Sequence, residues 1–322
     1  MSKMPSHRME EFEIDRKPTR KPAKQKFYDF LYNDETGAIL GRTPESWGKI
    51  LIFYAIFYAV LISLFAICMA TFLQHFINPR VPRLQQDGGL IGASPGLGFR
   101  PLPADVRSTL IWYKGTGYDS YKYWEDQLME FLSEYKKKGQ TVGAGQNIHN
   151  CKFDSLPPPG KICDVDIQGW KPCIEEDHFS FHKSSPCIFL KLNRIFGWRP
   201  QFYDEGLPPD MPEDLQAHIV HLRATNSTYT NMVWVSCQGE TPADKENIGP
   251  IHYIPHQGFP GYYYPYNNAE GYLSPLVAVH LERPRSEYSG IIINIECRAW
   301  ARNIAYNRRD RVGVVHFELM IE

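Results

Sequence analysis

Three groups of residues in this chain of 322 have types and spacings that could do chemistry. Asp164-Val165-Asp166 is a D-x-D triplet, the pattern of metal-dependent glycosyltransferases, many of which are type II membrane proteins. His178 and His182 stand at i, i+4, the spacing that sets two imidazoles on one helix face. His218 and His221 are three apart in a stretch that reads as strand, where they would face opposite ways. None of these groups is completed. The D-x-D lies between two cysteines, without a nucleotide-binding βαβ unit around it. The histidine pair has no third ligand at a spacing suited to a metal. No G-x-S-x-G, HExxH or P-loop occurs. The expectation is a protein with no catalytic site, no cofactor and no bound metal.

Two other groups carry more information. Six of the seven cysteines lie in the C-terminal two-thirds: Cys151, Cys163, Cys173, Cys187, Cys237 and Cys297. An even number suits a disulfide framework made in an oxidising compartment. Small stapled loops, Cys151–Cys163 and Cys173–Cys187, are the simplest arrangement, although six cysteines allow about 15 pairings. The N-x-[ST] sequon Asn226-Ser227-Thr228 is a glycosylation candidate in the same region. Gly258 to Tyr266, GFPGYYYPY, has five aromatics and two prolines in nine residues. It is too irregular for a core strand, and a Pro-stiffened aromatic loop suits a protein interface. The bland alternative is a loop packed on its own domain.

The element that must position all of this is Ile50 to Leu73, 24 residues without a charge. As a helix it spans ~36 Å, enough for a ~30 Å hydrocarbon core. It lies too far from Met1 and is too long for a cleaved signal peptide. Arg42 and Lys49 before it and Arg80 and Arg83 after it leave the orientation open. The cysteines and the sequon, all but Cys68 after the helix, place the C-terminal part outside the cell. The expectation is a type II protein: 1–49 a cytoplasmic N-terminal segment, 50–73 the membrane helix, 74–105 an extracellular stalk, 106–322 a disulfide-bonded ectodomain. Residues 1–26 read as a solvated tail. Phe27 to Trp47 reads as a membrane-surface segment. Within the anchor, Ala55, Ala59 and Ser63 line one face with small side chains, beside an aromatic block of Phe53, Tyr54, Phe57 and Tyr58. A partner helix would suit both.

Beyond the stalk, Tyr121, Trp124, Leu128, Phe131, Leu132 and Tyr135 follow helical spacing, which predicts an amphipathic helix over 120–138 capped by Ser120. From residue 217 the pattern turns to strand. Val233, Val235 and Cys237 alternate, as do Val277, Val279 and Leu281, then Ile291, Ile293, Ile295 and Cys297, and finally Val315, Phe317, Leu319 and Ile321. Cys237 and Cys297 point with apolar side chains, so a bridge between two packed sheets is expected, as in an immunoglobulin-like β-sandwich. The net charge of −1 gives nothing to suggest a nucleic-acid partner, and none is expected.

Several motifs, in order, resemble the β-subunit family shared by the Na⁺,K⁺-ATPase and the gastric H⁺,K⁺-ATPase. They are LGRT at Leu40 to Thr43 followed by Ser46-Trp47, FYAIFY at Phe53 to Tyr58, and PCIFLKLNRIFGWRP at Pro186 to Pro200. GFPGYYYPY and ECRAWARNIAY at Glu296 to Tyr306 complete the set. The resemblance implies a non-catalytic subunit of a P-type pump, needed for folding, plasma-membrane delivery and K⁺ occlusion of a catalytic α-subunit. It implies that Tyr54, Phe57 and Tyr58 pack on a membrane helix of α. It further implies that Phe259, Tyr263, Tyr264, Pro265 and Tyr266 meet an extracellular α loop. The family's pairing in sequence order adds Cys237–Cys297 to the two short bridges. A small FXYD-like regulatory subunit and membrane lipid are further implied partners. Asn267-Asn268-Ala269 departs from the Tyr-Gly-Lys that commonly follows YYPY, and the single sequon is fewer than relatives often carry. The competing readings are a type II ectoenzyme such as a glycosyltransferase, and a pump-independent adhesion or junction protein.

Overall fold

The computed structural model describes residues 22–34, 36–105, 107–115, 117–137, 145–204, 206–282 and 290–322. The expected solvated tail therefore lies, up to residue 21, outside the described residues, as does Lys138. The chain divides into two compact units, Met1–Ile77 and Asn78–Glu322.

In the first unit a short helix, α1 (Ala23–Leu31), leads into a two-stranded hairpin that pairs Tyr32–Asn33 with Ala38–Ile39. The apolar run then forms α2 (Pro44–His75), 32 residues long. It begins earlier than hydropathy alone suggests. Pro44 sits at the start, where its missing N–H costs nothing, and Glu45 favours the positive end of the helix. The Trp47 indole donates to Ile39 O at 2.9 Å, fixing the hairpin to the helix entrance. No residue of α2 is buried. An apolar helix of this length with no buried residue is a membrane span rather than a core helix.

The second unit is a two-sheet sandwich. Its strands are β1 (Leu97–Arg100), β2 (Leu110–Tyr113), β3 (Cys187–Leu192), β4 (Met232–Gly239), β5 (Ile251–Ile254), β6 (Gly258–Pro260), β7 (Leu276–Leu281), β8 (Ile292–Trp300) and β9 (Val314–Ile321). One sheet has the order β6-β4-β8-β9-β2, antiparallel except for the β9–β2 pair; the other is β1-β3-β7-β5, antiparallel throughout. The expected alternating sets face the space between the sheets, except that Ile291 is exposed and precedes β8. Phe317 of the first sheet stacks on Phe99 of the second, with ring centroids 5.0 Å apart. Val233, Val235, Ile295, Val277, Val279 and Leu281 share that core.

Four expectations need correction. The stalk ends sooner than expected, because Leu97–Arg100 is already a strand, pairing with β3; its glycines and prolines hide the alternation of Leu97 and Phe99. The strand expected from residue 217 begins instead at Met232, and Glu213–Thr225 is a helix, α4. His218 and His221 are helical, and α4 lays Leu215 and Ile219 on Met232, Trp234 and Trp300. Both faces of β4 are thereby buried, one by the facing sheet and one by α4. The Cys237–Cys297 bridge joins two neighbouring strands of one sheet, not two sheets: the residues are direct partners in the β4–β8 ladder, with Cα atoms 4.0 Å apart. Finally, the second unit has more than one helix among the described residues. Besides α4 there is a short α5 (Pro242–Asn247) and the expected α3, which runs Tyr118–Lys136. Ser120 does not cap α3; its Oγ accepts from Lys114 N at 2.6 Å.

α3 covers the outer face of the second sheet, burying Tyr121, Trp124, Leu128, Leu132 and Tyr135. Its buried Glu125 accepts a 2.9 Å hydrogen bond from His178 Nδ1. His178 thus ties the helix to the segment that precedes β3.

Candidate partner-binding surfaces

The first surface is the aromatic block of α2. Tyr54 and Tyr58, one turn apart, stack with ring centroids at 6.0 Å, and Phe53 and Phe57 do the same at 6.2 Å. Phe57 meets Tyr58 edge-on at 5.5 Å. All four rings are about half exposed. Helical spacing brings these residues together, as the sequence predicts. The polar groups nearby are largely self-satisfied: Ser63 Oγ donates to Ala59 O at 2.7 Å and Thr71 Oγ1 to Ile67 O at 2.8 Å. The Tyr54 and Tyr58 hydroxyls differ, having no hydrogen bond to any described residue. In hydrocarbon an unpaired hydroxyl is costly, and a neighbouring helix is one source of a partner.

The second surface is the aromatic loop, and here burial divides the candidates. Gly258–Pro260 is an edge strand after all, paired with β4. Gly258 is required there: a Cβ would lie 2.5 Å from Val233 O. Phe259 is fully buried in the core, so it cannot present its ring to a partner and drops out of the contact set. Tyr263 donates to Asp164 O at 2.9 Å. Tyr264 packs edge-on against Trp198 at 5.3 Å, and its hydroxyl is buried without a hydrogen-bond partner. Burial raises the pKa of both phenols, so they stay neutral. Tyr266 contacts Tyr272 at 4.9 Å, lies beneath the Arg194 guanidinium at 5.6 Å, and donates to Asn268 Oδ1 at 2.9 Å. The loop is anchored on its own domain, and Tyr263, Tyr264, Pro265 and Tyr266 all remain partly exposed.

Of the other chemistry-bearing residues, His178 and His182 meet, with ring centroids 5.6 Å apart. Val165 is buried, and Asp166 Oδ1 accepts from Gln168 N at 3.0 Å, closing a turn. Among the described residues no three His, Cys, Asp or Glu side chains are grouped to hold a metal. Cys151–Cys163 and Cys173–Cys187 are bridged across separations of 12 and 14 residues. Asn226 is exposed after α4, its Oδ1 accepting from Thr228 N at 3.1 Å. Sequence reasoning missed the shell that holds the aromatic loop: Phe153, whose ring lies 5.3 Å from that of Tyr262, with Trp198 and Tyr272. Only Trp198 falls in a quoted motif. Phe153 is distant in sequence, and Tyr272, close after the loop, stands outside any quoted motif.

Residues 17–317 match the model of the family described as sodium/potassium ATPase beta chain. The chain is 53% identical over 310 residues to the sodium/potassium-transporting ATPase subunit beta-2 of Drosophila melanogaster, covering 95% of both chains. It is 41% identical over 302 residues to the beta-1 subunit of the same organism, covering 93% of this chain and 94% of that one. To the beta-1 subunit of Tetronarce californica it is 30% identical over 308 residues, covering 91% and 94%.

Proposed function

The chain belongs to the sodium/potassium ATPase beta chain family, an accessory component rather than a catalytic one, and from that premise we propose how it serves the pump. It binds the catalytic α-subunit, supports its folding and delivery to the plasma membrane, and tunes K⁺ occlusion, thereby serving Na⁺ export and K⁺ import. The orientation is type II, with the disulfide-bonded sandwich outside the cell. Tyr54, Phe57 and Tyr58 form the membrane contact, and Tyr263, Tyr264, Pro265 and Tyr266 the extracellular one. Within the loop, Pro265 and Tyr266 touch the partner, while Tyr263 and Tyr264 hold the loop in shape. Asn226 carries a glycan. A small FXYD-like subunit and annular lipid occupy other faces of α2.

The observation that supports the membrane contact most is the Tyr54–Tyr58 pair, two stacked phenols without a hydrogen bond to any described residue, on a helix with no buried residue. The test is a mild-detergent pull-down of the full chain from its native membrane. A ~100 kDa P-type ATPase is expected at one-to-one stoichiometry. Changing Tyr54, Phe57 and Tyr58 together to Leu keeps the helix apolar and is expected to lower recovery by at least tenfold, a loss of ~1.4 kcal/mol or more. Recovery of the chain alone would overturn the proposed partnership. Undiminished recovery of the triple variant would overturn the assigned contact.

A further inference from the structure

The motif PCIFLKLNRIFGWRP has no part in the contacts proposed above, yet it sets Lys191 and Arg194 at the end of β3. Leu190 and Leu192 point into the sandwich, so Lys191 points to the outer face of the sheet. Its direct partner in β1 is Gly98, which has no side chain, and the next outward residue of β1 is Arg100. Lys191 and Arg100 are therefore diagonal neighbours on one face, within reach of each other for long side chains. α3 crosses both: the Arg100 guanidinium and the Lys191 ammonium each lie 5.5 Å from the centre of the Phe131 ring. Arg194 follows the strand, donates from Nε to Ser274 Oγ at 3.0 Å, and rests on the rings of Tyr266 and Tyr272 at 5.6 and 5.5 Å. The Tyr135 hydroxyl donates to Ser274 O at 3.0 Å, so α3 and Arg194 are held on the same residue.

Three cations thus gather at one end of the outer face. No ion pair among the described residues includes any of them. Their mutual repulsion is felt: burial, with the charges of Arg194 and Arg100, holds the Lys191 ammonium below its ordinary pKa, and Glu134 opposes this from α3. The aromatic faces ease the packing of cations but bring no net charge. Arg100 and Lys191 are half-buried, where charges act more strongly than in water, and Arg194 and Glu134 are exposed. Three positive charges against one carboxylate leave an excess of two. Presented by two guanidinium forks and an ammonium, that excess suits a doubly charged tetrahedral anion.

We propose that Arg100, Lys191 and Arg194 form a binding site for a divalent oxyanion, inorganic sulfate or phosphate or the phosphate of a monoester. The site borders Tyr266 but does not depend on the α-subunit contact proposed for that residue.

The test uses the full chain in detergent, dialysed to equilibrium against radiolabelled sulfate at low ionic strength. One sulfate per chain is expected to bind saturably, with a dissociation constant of about 1 mM or below. Inorganic phosphate and glycerol 3-phosphate are expected to compete, and chloride at equal ionic strength is not. Stronger competition by the ester assigns the site to phosphorylated molecules, and stronger competition by inorganic phosphate assigns it to the free ion. Arg194→Gln, at an exposed position, and Lys191→Gln are each expected to weaken binding about tenfold. Glu134→Gln, also exposed, removes the opposing carboxylate and is expected to tighten binding about threefold, a gain that misfolding does not produce. The absence of saturable binding would overturn the proposal. So would sulfate that chloride displaces equally well, binding that both cation variants leave unchanged, or weaker binding in Glu134→Gln.

Discussion

Asp244 offers a test in which sign and size both follow from geometry. It sits in α5, 5% exposed, where the chain turns after β4. Its Oδ2 accepts from Thr241 N at 3.0 Å and from Thr241 Oγ1 at 2.6 Å, while Thr241 Oγ1 accepts from Asp244 N at 3.2 Å, a complete capping box. Its Oδ1 accepts from Asn294 N at 3.0 Å, tying the turn to β8. The backbone is equally close: a Cβ at Gly239 would lie 2.3 Å from Asp244 C. Burial by itself would raise the carboxyl pKa, but the hydrogen bonds from Thr241 and Asn294 outweigh it and hold the pKa below the ordinary range.

Asp244→Asn keeps the shape and removes the charge. Two buried N–H donors then exchange a charged acceptor for a neutral one, at about 1 kcal/mol each, and the new amide N–H faces one of them. The expected loss at neutral pH is ~2–3 kcal/mol, or ~5–10 °C in melting temperature for an ectodomain of this size. A depressed folded-state pKa contributes stability that is present above the unfolded value, near 3.9, and is lost as pH falls through the lower folded value. The gap between wild type and Asp244→Asn is therefore widest at neutral pH and closes as pH is taken from 7 toward 3. The assay is urea unfolding of the detergent-solubilised full chain, followed by tryptophan fluorescence at several pH values. A gap that is absent at pH 7, or that stays constant down to pH 3, would refute the reasoning.

Replacing Cys237 and Cys297 together by Ala opens a loop of 60 residues and is expected to cost ~4 kcal/mol, against ~3 kcal/mol for either short bridge; denaturation midpoints of the three double variants give the ranking. Trp234→Ala empties the contact between β4 and α4 and is expected to cost ~3–5 kcal/mol, with early proteolytic cleavage within 213–225 as its signature. Asn226→Gln is expected to abolish a glycosidase-sensitive gel shift while changing stability by no more than about 1 kcal/mol. An unchanged shift would place the glycan elsewhere.

Much of this molecule is legible without coordinates because its strongest signals are local. The run from Ile50 to Leu73 is too long and too apolar for any place but a bilayer, and Tyr54 and Tyr58 meet because a helix brings i and i+4 together. The later strands announce themselves by their period of two, and α3 by its period near 3.6. Where local pattern is ambiguous, the reading fails. Ile219, Val220 and Leu222 resemble a strand until Leu215 and Ile219 are seen to share one face over Trp234.

What the sequence by itself determined is therefore the type and buried face of the strongly periodic segments, along with the family motifs. The tertiary structure alone decided neighbours. It placed Cys237 beside Cys297 in one sheet, and sank Phe259 into the core while leaving Tyr263 to Tyr266 partly exposed. These depend on strand order and on contacts between residues about a hundred or more positions apart, such as Tyr263 with Asp164 and Phe317 with Phe99. No short-range periodicity encodes such contacts, because many strand orders bury the same apolar faces equally well.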